Sequence, residues 1–308
     1  MGINTVSLMG AGAIGSYFIY NMQSRMGNCF SVVAQGDRKE RLEKDGLLIN
    51  GSHIIPNVKT PQEAQGVDLL LITTKYDALK ASLADIKNII GPNTIVLSLL
   101  NGIDSEEIVE SVIGPGHVLR SFIRIIANRK GREIHFDEAV THEVYFGEED
   151  GSHTERVQAI CDLFDQTNIQ YVLSDHIEEA QWNKFGVNIS NNLPQAVFGV
   201  GYHAYFHSEH MKFIHQRVMD EFFAVANAKG FHIHLIPTPP EAAAPMARFS
   251  TLQDLDAKRH TEVDMFMGAF LKEAKKLGIA VPYCEYTYHA IKILEEKNDN
   301  LFEKTVDI

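Results

Sequence analysis

Apolar residues in the first half of the chain gather in short runs without regular polar alternation, at 5–9, 30–34, 67–74, 94–100 and 118–126, the last interrupted by Arg120 and Arg124. A strand with one wet face alternates apolar and polar positions. A run that is apolar throughout is covered on both faces, as in parallel sheets. Helix-like segments at 16–26, 76–89 and 105–112 separate the runs, so the pattern predicts a doubly wound sheet. A last strand-like run covers 141–146. From about residue 175 the chain reads mainly as helices, punctuated by Pro194, Gly201, Gly230 and a loop at 237–240. Residues 242–246 and the long segment 252–277 are helical by composition, with Gly278 placed to close a helix and Pro282 just beyond it.

Between the first run and the first helix lies Gly10-Ala11-Gly12-Ala13-Ile14-Gly15. Gly10 permits a tight turn, Gly12 lets the backbone approach a diphosphate, and Gly15 lets helix and strand pack closely. Unpaired N–H groups at the helix N-terminus favour the negative charge. The loop is expected to bind a dinucleotide through Gly10, Ala11, Gly12, Ala13, Ile14 and Gly15. The fold class is therefore α/β, an N-terminal Rossmann doubly wound sheet at 1–174 followed by an all-α C-terminal domain at 175–308. Ligands of such sheets lie beyond the carboxyl ends of the strands, which assigns Lys75 and Asn101 to the cofactor side.

The end of the second strand normally selects the cofactor: an acid accepts from the NAD ribose, and an Arg pairs with the NADP 2′-phosphate. Here it reads Ala34-Gln35-Gly36-Asp37-Arg38-Lys39. Gln35 is neither answer. Arg38 and Lys39 reach toward a phosphate while Asp37 opposes it, so the balance leans slightly to NADPH over NAD.

Composition narrows the partners. A formal charge of -12 argues against nucleic acid, and a field of that sign repels anionic ligands unless local donors hold them. No apolar run is long enough to span a membrane, and the N-terminus has no basic region of the kind that opens a secretory leader. Three dispersed cysteines (Cys29, Cys161, Cys284) suggest neither a disulfide framework nor a zinc site, and a reducing cytoplasm is the simplest location. The histidines at 203, 207, 210, 215, 232 and 234 lack a metal-binding pattern and are read as solvated or hydrogen-bonded. A homodimer is left open.

The sharpest chemical signal is in the second half. Lys184, Asn188 and Asn192 are spaced i, i+4, i+8, so on a helix they form one stripe about 12 Å long. One cation and two carboxamides at that spacing can grip a small polar molecule. A solvent-facing polar stripe is the plainer alternative.

Together the motifs resemble the ketopantoate reductase (2-dehydropantoate 2-reductase) family. The similarity is carried by the glycine-rich loop, Thr74-Lys75, Leu100-Asn101-Gly102, and Trp182-x-Lys184-x-x-x-Asn188-x-x-x-Asn192. It continues through Ser250-Thr251-Leu252-Gln253-Asp254, Arg259-His260-Thr261-Glu262-Val263-Asp264 and Gly278-Ile279-x-x-Pro282. The resemblance implies that Lys184 is the catalytic lysine, protonating the carbonyl oxygen as hydride arrives at carbon. Asn188, Asn192 and Ser250 are implied donors to the substrate, Glu262 the acid near the lysine, and Lys75 and Asn101 cofactor-side groups, Asn101 also reaching substrate. The implied reaction is NAD(P)H-dependent reduction of a small 2-keto acid, 2-dehydropantoate, to (R)-pantoate on the route to pantothenate. Two departures stand out. Gln35 replaces an Arg frequent in the family, and Arg120 and Arg124 replace a small-residue stretch, either altering substrate choice or pairing with surface acids. An NAD-dependent D-2-hydroxy acid dehydrogenase and a non-catalytic NAD(P)-sensing protein are the alternatives.

Overall fold

The computed structural model describes residues 2–130, 133–138, 142–235 and 244–303, the side chains of 128–130 excepted. The chain divides into two compact units, Met1–Glu178 and Glu179–Ile308.

The first unit begins with β1 (Val6–Met9), α1 (Ala13–Met26), β2 (Phe30–Val33), α2 (Gly36–Asp45), β3 (Leu47–Ile49), β4 (Ser52–Ile54), β5 (Val58–Lys59) and β6 (Leu69–Ile72). It continues with α3 (Tyr76–Ala81), α4 (Leu83–Ile89), β7 (Ile95–Ser98), α5 (Ser105–Ile113), β8 (Val118–Arg124), β9 (Ala127–Lys130), β10 (Glu133–Phe136), β11 (Glu143–Gly147), α6 (Glu155–Thr167) and β12 (Tyr171–Leu173). Eight strands form one sheet in the order β12-β11-β8-β7-β6-β1-β2-β5. From β5 to β8 neighbours are parallel, while β11 runs antiparallel to β8. Every residue of β1, β2, β6 and β7 is buried, the outcome expected of runs without alternation. The chain steps from β1 to β2 in one direction and from β6 to β8 in the other. Right-handed crossovers then place α1 on one face and α3 to α5 on the opposite one. The order reverses at β1, where a doubly wound sheet opens its ligand crevice.

A second sheet, in the order β4-β3-β10-β9, was absent from the sequence reading. Its hairpin carried a signal: Asn50 and Gly51 take positive φ (48° and 76°) between Ile49 and Ser52, the Asn-Gly turn of a two-residue hairpin. The helix expected over 76–89 breaks at Ser82, whose hydroxyl donates to the Leu79 carbonyl at 3.0 Å. Arg120 lies opposite Gly147 within the sheet and donates to Glu149 at 2.7 Å, and Arg124 stacks over the Tyr145 ring. For Arg120, pairing with an acid is what the structure shows.

Among its described residues, the regular elements of the second unit are all helices. Its elements are α7 (Ile177–Val187), a π-helical segment (Asn188–Asn192), α8 (Leu193–Phe198), α9 (Ala204–His207), α10 (Glu209–Ala228), α11 (Ser250–Asp256), a second π-helical segment (Asp264–Gly268), α12 (Ala269–Leu277) and α13 (Pro282–Asn298). The single helix expected over 252–277 is three pieces. Lys258 adopts φ +52°, which a continuing helix forbids, and Arg259 N donates back to the Asp254 carbonyl at 2.8 Å. Residues 241–243 lie outside the described residues, and 244–246 form a turn rather than part of the helix expected at 242–246. Gly278 ends α12 at φ +68° and Pro282 opens α13, as the sequence indicated. Glu221 on α10 accepts from the amides of Tyr283 and Cys284, each at 2.9 Å, and so caps α13 from a neighbouring helix.

Candidate active site

At the carboxyl end of β1 the glycine-rich loop takes the shape its sequence requires. Gly10 has φ +110°, and a Cβ there would stand 2.7 Å from the Thr73 carbonyl carbon. A Cβ on Gly15 would lie 1.9 Å from the Gly10 carbonyl oxygen. Gly12 differs: φ is −93° and a Cβ would meet nothing within 4 Å. No atom of the described residues needs Gly12 to be glycine, so the open space is room for something approaching the backbone. The amides of the first turn of α1 face that side without intrahelical partners, and no acidic residue occupies the turn. This donor set fits a diphosphate. Lys75 is exposed at the start of α3, and Asn101, half-buried, follows β7. Both therefore stand beyond strand carboxyl ends.

Beside the loop, Ala11 joins Arg38, Arg41, Leu42, Leu48 and His53 around a cavity of about 630 Å³. Loss of hydration first, and the like charge of Arg41 second, pull the Arg38 pKa below its ordinary value. Two guanidinium groups against one carboxylate, Asp45, leave the lining with a net positive charge that suits an anion. Arg41 was missed in the sequence, although its i+3 spacing from Arg38 on a helix was readable. Lys39 serves elsewhere, donating to Glu43 at 2.6 Å and to the Val58 carbonyl at 3.1 Å. Gln35 donates to Asp85 at 3.1 Å.

In the second unit the Lys184 stripe is real, but α7 does not simply continue through it. Residues 181–193 alternate in pairs, two buried and two half-buried, with Lys184, Asn188 and Asn192 half-buried. In an α-helix four residues overshoot a full turn by about 40°, so a stripe with period four would drift. The wider i→i+5 turn at Asn188–Asn192 undershoots and brings Asn192 back into line. Asn192 Nδ2 lies 3.5 Å from Asn188 Oδ1, so the two carboxamides meet. The opposite face is an aromatic core. Trp182 and Phe185 pack at 5.8 Å, Trp182 and Phe222 at 5.9 Å, and Phe185 stacks on Phe266. Trp182 thus faces away from the stripe.

Two distant segments reach this π-helical turn. Both α11, which starts at the exposed Ser250, and the Asp264–Gly268 segment, two residues after half-buried Glu262, pack against it. Fully buried Gln195 fixes the approach to Ser250, donating to the Ala247 carbonyl at 2.9 Å and accepting from Phe249 N at 2.7 Å. Its role had no sequence signal, because a Gln inside a helix reads as a surface residue. The stripe, α11 and the Glu262 segment thus converge within one unit.

Sequence models described as ketopantoate reductase PanE/ApbA and its C-terminal domain match residues 6–151 and 176–295. The chain belongs to the ketopantoate reductase family. It is an oxidoreductase of a family that binds a nicotinamide cofactor. It is 26% identical over 304 residues to an uncharacterized oxidoreductase, YkpB, of Bacillus subtilis, covering 94% of this chain and 98% of the relative. It is 27% identical over 291 residues to a 2-dehydropantoate 2-reductase of Streptococcus pyogenes, with 91% and 94% covered. A solved complex of D-mandelate dehydrogenase with NADH has a TM-score of 0.81 at 23% identity, over 96% of this chain and 99% of that one. This ketopantoate reductase family member has no helix, among its described residues, long and apolar enough to cross a membrane.

Proposed function

We propose that this reductase converts 2-dehydropantoate to (R)-pantoate, with NADPH as the preferred cofactor. The observation that carries the proposal is the stripe of Lys184, Asn188 and Asn192. The π-helical turn holds it straight against a rigid aromatic core, and the segments bearing Ser250 and Glu262 pack on the same turn. Rigid backing keeps donors in place for a short keto acid, and misplacement costs rate steeply. The nicotinamide cofactor supplies the hydride that adds to the carbonyl carbon. As that carbon–oxygen double bond breaks, charge gathers on oxygen, and the Lys184 ammonium stabilises it and gives up the proton that completes the hydroxyl. Asn188, Asn192 and Ser250 orient the carboxylate and hydroxyl of the substrate, and Glu262 orients groups beside the lysine. Asn101 reaches both ligands. Residues 10–15 would hold the diphosphate, with Lys75 on the cofactor side. Arg38, joined by Arg41, would hold the 2′-phosphate in the role that Gln35 cannot fill. In this division of labour residues 1–174 serve the cofactor and residues 175–308 the substrate, in a cytoplasmic enzyme of pantothenate synthesis.

The test is cofactor oxidation by purified protein with 2-dehydropantoate, NADPH and NADH compared side by side, repeated with Lys184→Ala. The proposal expects rapid NADPH turnover that falls by about 10²–10⁴ in the variant while cofactor affinity is kept. A second reading, an NAD-dependent D-2-hydroxy acid dehydrogenase, draws on the Gln35–Asp85 pair, which sets a carboxylate of α4 against the residue that follows β2. Turnover with NADH alone, or with other 2-keto acids while 2-dehydropantoate is inert, would establish it instead.

A further inference from the structure

Glu295 is an acid in the last turn of α13 and is only 2% exposed. Its Oε1 accepts from Thr261 N at 2.7 Å and from Thr261 Oγ1 at 2.6 Å. The same Thr261 hydroxyl oxygen accepts from Val263 N at 3.2 Å. The residues immediately before and after Glu262 are therefore tied, directly or through one atom, to a single buried carboxylate. Lys292 completes the clamp, 2.8 Å from Glu295 Oε2 and 3.2 Å from Asp264 Oδ2. Tyr288 donates to Asp264 Oδ1 at 2.6 Å, so α13 grips the chain from 261 to 264.

The clamp has a task because the segment it holds is irregular. Between the end of α11 and the re-entry into helix at Val263 the chain passes through Lys258 at φ +52°, a conformation that a residue with a side chain reaches at a cost. A linker of that kind has several accessible shapes, and selecting one costs backbone entropy. Stability alone does not explain a buried carboxylate here, since buried ion pairs are frequently matched or bettered by apolar residues of similar volume. What the pair provides is a defined geometry, and the residue inside that geometry is Glu262.

We propose that Glu295 is a positioning residue for Glu262: through Thr261 and Lys292 it fixes the backbone that presents the Glu262 carboxylate to the Lys184 stripe. This rests on the reading of Glu262 as an active-site acid given above. Loss of Glu295 then acts on turnover through Glu262 and has little further effect once the Glu262 carboxylate is gone.

The experiment is a double-mutant cycle on the full-length enzyme with NADPH and 2-dehydropantoate, comparing wild type, Glu295→Ala, Glu262→Gln and the double variant. Glu295→Ala is expected to lower kcat by about 10²-fold with the KM for NADPH unchanged, the cost of a displaced catalytic group. Glu295→Gln, whose amide oxygen still accepts from Thr261, restores most of that loss. In the Glu262→Gln background, Glu295→Ala is expected to cost less than about 2-fold, because residues acting as one unit are non-additive. An equal fold-loss in both backgrounds, or a lowered Tm with kcat unchanged, overturns the proposal and leaves the role of Glu262 standing. A Glu262→Gln enzyme as fast as wild type removes the role of Glu262 and the proposal with it. Should Glu295→Ala fail to fold, the nearly isosteric Thr261→Val takes its place in the cycle. It removes the hydroxyl half of the link and the Val263 N bond while the Thr261 amide still donates to Glu295, so a smaller loss is expected.

Discussion

Gly12 and Gly15 lie in the same loop but are glycines for different reasons, and alanine at each position separates the reasons. At Gly15 the added methyl carbon would sit 1.9 Å from the Gly10 carbonyl oxygen and 2.9 Å from Thr73 Oγ1. Neither can retreat, because Thr73 Oγ1 donates to that same carbonyl at 2.6 Å and Thr73 N donates to the Met9 carbonyl at 2.8 Å. Gly15→Ala is thus expected to destabilise the first unit by about 3 kcal/mol or more, the upper end of overpacking costs. At Gly12 the methyl meets no protein atom and the backbone angle suits alanine, so little stability is lost beyond about 1 kcal/mol for a poorer helix cap. The methyl does occupy the space assigned to the diphosphate. An overpacking cost of about 1–3 kcal/mol charged to the complex alone weakens cofactor binding by about 5- to 150-fold. Thermal melts without ligand, paired with NADPH titrations followed by fluorescence, read the two effects separately. Wild-type NADPH affinity in a stably folded Gly12→Ala protein would refute the placement of the diphosphate.

Two further outcomes follow from charge. Arg41→Ala should raise the KM for NADPH by about 10- to 150-fold, the loss of a hydrogen bond to a charged group, and leave the KM for NADH nearly unchanged; equal effects on both cofactors would remove the 2′-phosphate from that cavity. Glu148 is bound by Arg156 and accepts from Thr154 at 2.6 Å, and the Arg156 hydrogen bond chiefly holds its pKa below the usual 4.5. A depressed folded-state pKa contributes stability that is present above pH 4.5 and lost as pH falls through the lower folded value. Glu148→Gln should therefore flatten the acid limb of the Tm-against-pH curve; an unchanged limb would show that the pair contributes nothing.

The division between what the residues announced and what required the fold follows the range of the interactions. Strands β1, β2, β6 and β7 were legible because a segment covered on both faces must be mainly apolar, a property each segment carries alone; β8 was legible from its apolar positions although Arg120 and Arg124 interrupt it. The glycine-rich loop was legible for a similar reason: Gly10 and Gly15 answer to backbone within one strand–turn–helix unit and its neighbouring strand. The spacing of Lys184, Asn188 and Asn192 announced a stripe. Only the structure showed that the stripe stays straight because of a π-helical turn, which depends on how the wider turn packs against α11 and the Asp264–Gly268 segment. The break after α11 was hidden for the same reason. Residues 252–277 carry helix-forming composition, and the Thr261–Glu295 clamp that holds the irregular stretch after Lys258 comes from a helix more than thirty residues away. Gln195 and Glu295 read as ordinary polar helix positions because a polar residue in a helix is usually wet; burial by distant elements turned them into anchors. Local sterics and periodicity are written into short stretches of chain, whereas anchoring of a site is a relation between segments and exists only once they are packed.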